Sequence, residues 1–207
     1  MSVKVKICGV TSIEDALAAV DAGADALGFM FYERSPRNVP VKVAADIIRQ
    51  LPPFVAKVGV FVNAAEETVR RVTGESGIDT LQFHGEETPD FCLQFGLMSM
   101  KAFRVRDAES LKQLLGYQTD AWLLDAYSPA QYGGTGEQFN WDLAIQARQW
   151  GKPIFLAGGL TPENVAQAIQ QAQPYAVDVS SGVEASPGRK DPEKVKSFIR
   201  AAKSAVA

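Results

Sequence analysis

Cysteine and histidine are scarce in this chain, with only Cys8, Cys92 and His84 among 207 residues. Two cysteines do not make a disulfide framework. One histidine and no Cys/His cluster leave no zinc-site pattern, so no metal is expected. No charge sign dominates: 21 basic residues face 24 acidic ones, the formal net charge is −3, and the isoelectric point is about 5.3. That balance gives no support for a nucleic-acid or anionic-membrane partner, and leaves room for a local basic pocket around a small anion. No apolar stretch approaches the roughly 20 residues needed to cross a bilayer. The opening Met1-Ser-Val-Lys-Val-Lys has neither an apolar signal core nor a transit-type composition, so the protein is expected to stay in the cytoplasm. Neither the P-loop spacing nor the G-x-G-x-x-G dinucleotide spacing occurs, so no nucleotide or redox cofactor is expected.

What is present is an ordinary globular composition, 46% apolar and 22% charged, with no linker or low-complexity segment. One domain over residues 1–207 is expected. Short β-like runs fall near Val3–Cys8, Ala26–Phe31, Val55–Val62, Thr80–His84, Met98–Phe103, Ala121–Asp125, Pro153–Ala157 and Ala176–Ser180. Segments with helical spacing lie between them. Ile13, Ala16, Leu17 and Val20, for example, form one apolar stripe. Thr11 with Glu14 reads as a capping box, and Thr88-Pro89, Thr161-Pro162 and Asp191-Pro192 each place a cap before a proline suited to the first helical turn. Eight consecutive strand–helix units in so short a chain predict an α/β fold, a closed (β/α)₈ TIM barrel with short loops. A doubly wound open sheet is the alternative.

In such a barrel the site lies at the C-terminal strand ends, and those ends carry reactive side chains followed by glycine. Alternation in the first run puts Val3, Val5 and Ile7 toward the helices, with Lys6 and Cys8 inward. A neighbouring ammonium favours thiolate, so Cys8 is a candidate base; a buried inert cysteine is the structural alternative. Asp125 and Leu123 face inward and Trp122 and Leu124 outward, which partly desolvates a carboxylate suited to proton donation. The competing reading is a salt bridge to Lys6 or a loop cap for Asp125, and a structural pair with a barrel lysine for Asp178. Cys92, between Phe91 and Phe95, reads as core. Gly158-Gly159 and Ser180-Ser181-Gly182 follow the last two strands, where barrels commonly hold phosphate on backbone N–H groups; simple turns are the alternative. In the loop Glu33-Arg34-Ser-Pro-Arg37 an arginine is placed to grip a carboxylate or to be a solvated loop charge. Tyr132-Gly-Gly-Thr-Gly136 reads as a lid or a plain connection. His84 is either catalytic or a hydrogen-bonded structural residue. Without any family, these residues describe a phosphate-binding barrel for acid–base chemistry on a small phosphorylated metabolite.

The ordered set Lys6-Ile-Cys-Gly-Val-Thr, Gly28-Phe-Met-Phe-Tyr with Ser35-Pro-Arg37, Val58-Gly-Val-Phe-Val, Gln82-Phe-His-Gly-Glu, Leu123-Leu-Asp125 leading to Gly133-Gly-Thr-Gly, Leu156-Ala-Gly-Gly-Leu and Val177-Asp-Val-Ser-Ser-Gly-Val-Glu184 closely resembles the phosphoribosylanthranilate isomerase family. The resemblance spans nearly the whole chain. It implies a (β/α)₈ barrel of tryptophan biosynthesis that performs a cofactor-free Amadori rearrangement of N-(5-phosphoribosyl)anthranilate. By motif, it implies Cys8 as general base, Asp125 as general acid and Arg37 on the anthranilate carboxylate. Asp178 and His84 line the site, and Gly158, Gly159, Ser180, Ser181 and Gly182 surround the phosphate. Two rivals remain. An analogous histidine-pathway isomerase relies on two aspartates, and Cys8 and Arg37 argue against it. A non-catalytic phosphometabolite-binding barrel does not need the Cys8/Asp125 pair. A monomer is expected, with exposed apolar residues such as Phe54 as the feature that would favour a dimer.

Overall fold

The computed structural model describes residues 2–126 and 141–205 of the chain. Eight parallel strands close on themselves in sequence order: β1 (Lys4–Cys8), β2 (Ala26–Met30), β3 (Ala56–Phe61), β4 (Thr80–Phe83), β5 (Met98–Val105), β6 (Ala121–Ala126), β7 (Ile154–Leu156) and β8 (Ala176–Val179). β1 closes the barrel by pairing with both β2 and β8, in a register that sets Cys8 beside Gly28 and Lys6 beside Asp178. Helices α1 (Ile13–Asp21), α2 (Val41–Ile48), α3 (Glu66–Ser76), α4 (Pro89–Leu93), α5 (Ala108–Leu111), α6 (Trp141–Arg148), α7 (Val165–Ala172) and α8 (Pro192–Ser204) follow the strands in turn. The expected barrel is therefore the observed one. A hairpin of β9 (Glu184–Ser186) and β10 (Arg189–Lys190), absent from the sequence expectation, lies between β8 and α8.

Strand alternation divides the core. Val3, Val5, Ile7, Trp122, Leu124 and Val177 pack outward against the helices. Ala26, Val58, Met100, Ala102, Leu123 and Ala157 fill the barrel interior. A third cluster stacks Phe61 and Phe83 against α3 and α4, and Cys92 packs into it at 1% exposure. Burial pushes the Cys92 thiol up to about 12. Cys92 is thus a core residue, as its setting between two phenylalanines predicts.

The helix starts show which local signals act. Thr88 and Asp191 cap α4 and α8 through their side chains, each with a proline in the first turn. Two expected caps are corrected. Ser12, not Thr11, accepts from the Asp15 amide at 3.1 Å, because Thr11 donates to the Gly188 carbonyl at 2.5 Å and is held by the hairpin. Thr161-Pro162 does not start α7. Asn164 accepts from the Thr161 amide at 2.8 Å and donates to the Gly159 carbonyl at 2.9 Å, so residues 161–164 form a turn and the helix begins at Val165. The expected lid, Tyr132–Gly136, lies outside the described residues.

Candidate active site

Each site residue sits where a strand ends or just beyond it. Cys8 ends β1, Asp125 lies near the end of β6, Asp178 lies in β8, and His84 follows β4 directly. Parallel strands in a closed barrel direct these ends to one mouth. On the β8–β1 side, Lys6 is fully buried and its Nζ donates to Asp178 Oδ1 at 2.8 Å. Asp178, not Asp125, takes the structural pairing with a barrel lysine. A Cβ built on Gly28 would lie 2.7 Å from Cys8 Sγ and 3.2 Å from Lys6 Nζ, so only glycine leaves room for thiol and ammonium side by side.

The expected thiolate needs correction. Cys8 is 6% exposed, and burial, the largest influence, pushes its pKa up. Lys6 pulls it back and Asp178 opposes Lys6, so the net direction is upward. Lys6 itself is held above its ordinary value: burial pulls it down, and Asp178 and Cys8 more than reverse this. The proximity read from the sequence is real, but desolvation outweighs it. A thiol with a raised pKa is less often ionised and is a stronger base once ionised.

The β4–β6 side is more open. His84 Nε2 lies 3.4 Å from Asp125 Oδ2, with the two side chains 23% and 30% exposed. Gln82 Nε2 lies 3.0 Å from His84 Nδ1. With that amide donating, the ring proton sits on Nε2 and points toward Asp125. Asp125 is therefore the partner of His84, not of Lys6. Beneath His84, buried Lys101 donates to the carbonyls of Gly85 (2.6 Å) and Phe83 (3.4 Å), and Glu87 accepts from the amides of Asn63 (2.8 Å) and Gly85 (2.9 Å). Lys101 and Glu87 also pair at 3.4 Å. These groups fix the loop that carries His84.

Beyond β7 and β8 the loops meet closely. Gly158 and Gly159 take positive φ of 84° and 66°. A Cβ on Gly182 would lie 1.9 Å from the Leu160 carbonyl oxygen, so the two loops touch only because residue 182 is glycine. Ser180 Oγ is buried with no hydrogen-bond partner among the described residues. Arg37 is not a solvated loop charge: its Nε and Nη2 hold both oxygens of Glu184 at 2.8 and 2.7 Å.

The sequence reading missed the roles of Glu184, Lys190, Lys101, Glu87 and Gln82. Lys101 did leave a signal, a charge in the middle of the apolar run Met98–Phe103. Among the described residues no group of His, Cys, Asp and Glu side chains could hold a metal ion. No described helix is long and apolar enough to cross a membrane.

Comparison with known proteins points the same way as this geometry. The family model described as N-(5'-phosphoribosyl)anthranilate isomerase matches residues 5–201. A protein of that name from Citrifermentans bemidjiense is 61% identical, over 97% of this chain and 97% of its own length. The crystal structure of phosphoribosyl anthranilate isomerase from Thermotoga maritima superposes with a TM-score of 0.93 at 44% identity, covering 98% of this chain and 99% of that one. A further isomerase structure, in complex with reduced 1-(o-carboxyphenylamino)-1-deoxyribulose 5-phosphate, has a TM-score of 0.89 at 41% identity and covers 98% of this chain and 99% of that one. The chain belongs to the N-(5'-phosphoribosyl)anthranilate isomerase family.

Proposed function

We propose that this barrel carries out its family's reaction with Cys8 as general base and Asp125 as general acid, on one phosphorylated substrate laid across the mouth. The reaction is the isomerisation of N-(5-phosphoribosyl)anthranilate in tryptophan biosynthesis, giving 1-(2-carboxyphenylamino)-1-deoxyribulose 5-phosphate. The supporting observation is placement. A buried thiol beside an ammonium and a partly exposed carboxylate beside an imidazole stand at the C-terminal ends of β1 and β6, at the same mouth of one closed barrel.

The steps follow from these groups. Asp125, protonated, gives its proton to the furanose ring oxygen, and the bond from that oxygen to C1′ breaks. The anthranilate nitrogen takes up the positive charge as an iminium, which acidifies the C2′ proton. Cys8 thiolate removes that proton, leaving an enolamine that tautomerises to the ketose. Solvent then returns the proton from Cys8 to Asp125. The imidazole Nε2–H of His84 donates toward the Asp125 carboxylate left after proton donation. A thiolate made basic by burial suits removal of a carbon-bound proton. Asp178 serves this chemistry by holding Lys6 beside Cys8.

The phosphate fits at the β7 and β8 loops. Ser180 Oγ has no partner among the described residues, and Gly158, Gly159, Ser181 and Gly182 offer backbone N–H groups. Arg37 holds the anthranilate carboxylate. All of these residues come from one chain, so a monomer suffices, with Phe54 (99% exposed) as the exposed aromatic that a dimer would cover.

The test is turnover. Purified protein is added to freshly made N-(5-phosphoribosyl)anthranilate with a chelator present, and the substrate's fluorescence is followed. Rapid enzyme-dependent loss is expected. No loss from a folded protein rejects the reading.

A further inference from the structure

We infer that Glu184 is a positioning residue: its carboxylate holds one edge of the Arg37 guanidinium so that the other edge faces a substrate carboxylate. The inference rests on the reading of Arg37 given above. Glu184 closes the motif that begins at Val177, and no step of the chemistry uses it.

The geometry carries it. Glu184 is 8% exposed, and its Oε1 and Oε2 accept from Arg37 Nε at 2.8 Å and Nη2 at 2.7 Å. Two parallel charge-assisted bonds fix the guanidinium plane. They use the Nε–Nη2 edge. The terminal Nη1–Nη2 edge keeps two outward N–H groups, the arrangement that binds a second carboxylate in the same planar way. The Arg37 side chain is 23% exposed, so it is not sealed from solvent. A Cβ on Gly9 would lie 2.7 Å from Arg37 Cδ, so the arginine stem crosses directly beside the residue that follows Cys8. The end held by Glu184 is therefore next to the base.

A second cation makes this arrangement compatible with substrate. Lys190, 3% exposed, donates to Glu184 Oε1 at 3.0 Å and to the Ser180 carbonyl at 3.3 Å. Gly188 N adds a bond to Oε1 at 3.3 Å. The carboxylate thus faces two cations, and one positive charge remains to be matched by an incoming carboxylate. Because Lys190 stays on Glu184, the buried charge keeps a partner while Arg37 shares itself with substrate. The same lysine ties the carboxylate end of the site to the loop assigned to phosphate.

The experiment measures dissociation constants for the reduced product, which keeps the carboxylate, and for its phenylamino counterpart, which lacks it, together with kcat and KM. Glu184→Gln is expected to weaken the first ligand about tenfold, the scale of one lost charge-assisted bond. It should leave the second ligand unchanged and kcat within about threefold. Arg37→Ala should weaken the first ligand at least as much, and Glu184→Gln should add nothing in that background. If Arg37→Ala weakens binding and Glu184→Gln does not, the inference fails and the Arg37 reading stands. If neither does, the Arg37 reading fails and the inference with it. Equal weakening of both ligands makes Glu184 a general structural residue and overturns the inference. Should Glu184→Gln not fold, Glu184→Asp is read by the same criteria, since it keeps the charge beside Lys190 but is one methylene short for both arginine bonds.

Discussion

On the β8–β1 side of the mouth, Lys6 is fully buried, Asp178 is 8% exposed, and they meet at 2.8 Å. On the β4–β6 side, His84 and Asp125 are 23% and 30% exposed and meet at 3.4 Å. One side is dry and compensated charge by charge; the other is wet and loosely held. The difference matches the two jobs proposed for Cys8 and Asp125. A base that must take a proton from carbon gains strength from desolvation, whereas an acid that must reload its proton each turnover gains from contact with water. It also separates the risks. Loss of a partner in the dry region leaves a buried charge, while loss of one in the wet region leaves a group that water can solvate.

Substitutions can break this contrast at both ends. The largest effects should fall on rate. Cys8→Ser and Asp125→Asn should each lower kcat by roughly 10²–10⁴-fold with KM little changed, measured in the fluorescence assay. Near-normal turnover in either variant removes that residue from its role. Next is stability on the dry side. Lys6→Met leaves Asp178 uncompensated and should cost about 3–5 kcal/mol in denaturant unfolding. His84→Asn, on the wet side, should cost about 1 kcal/mol or less. Equal costs would erase the distinction between the two sides.

The pH dependence sharpens it further. A base whose pKa is pushed up must be ionised to act, so kcat/KM should climb as pH rises above neutral toward the Cys8 value. Lys6 lowers that value, so Lys6→Gln should move the rising limb to higher pH. An unmoved limb would mean that Lys6 does not act on the thiol. The smallest expected effect is that of Cys92. Its folded pKa is about 12 against an ordinary 9.0. The unfolded chain therefore loses this proton first, and stability is full below pH 9.0 and declines as pH approaches 12. Cys92→Val should flatten that decline in thermal unfolding, and an unchanged slope would assign it to other groups.

Much of this was legible in the sequence. The eight strands, the inward set Lys6, Cys8, Leu123 and Asp125, the core role of Cys92 and the caps at Thr88 and Asp191 all follow from local patterns. The misses share a cause. Thr11 was a reasonable cap until a hairpin 177 residues away took its hydroxyl. Thr161 lost its place to the side chain of Asn164, whose two hydrogen bonds make a better local turn. Glu184 was visible as a motif letter, but its value depends on Arg37, 147 residues earlier.

The sequence by itself determined the barrel, which face of each strand looks inward, and which side chains stand at the mouth. Those follow from a period of two along strands and from turn and cap chemistry within a few residues. Only the tertiary structure decided the partners and the ionisation: Lys6 with Asp178 across 172 residues, Arg37 with Glu184, His84 with Asp125, and a Cys8 thiol pushed up rather than down. The physical reason is that proximity along the chain indicates which charges are near, whereas desolvation depends on everything that packs around them.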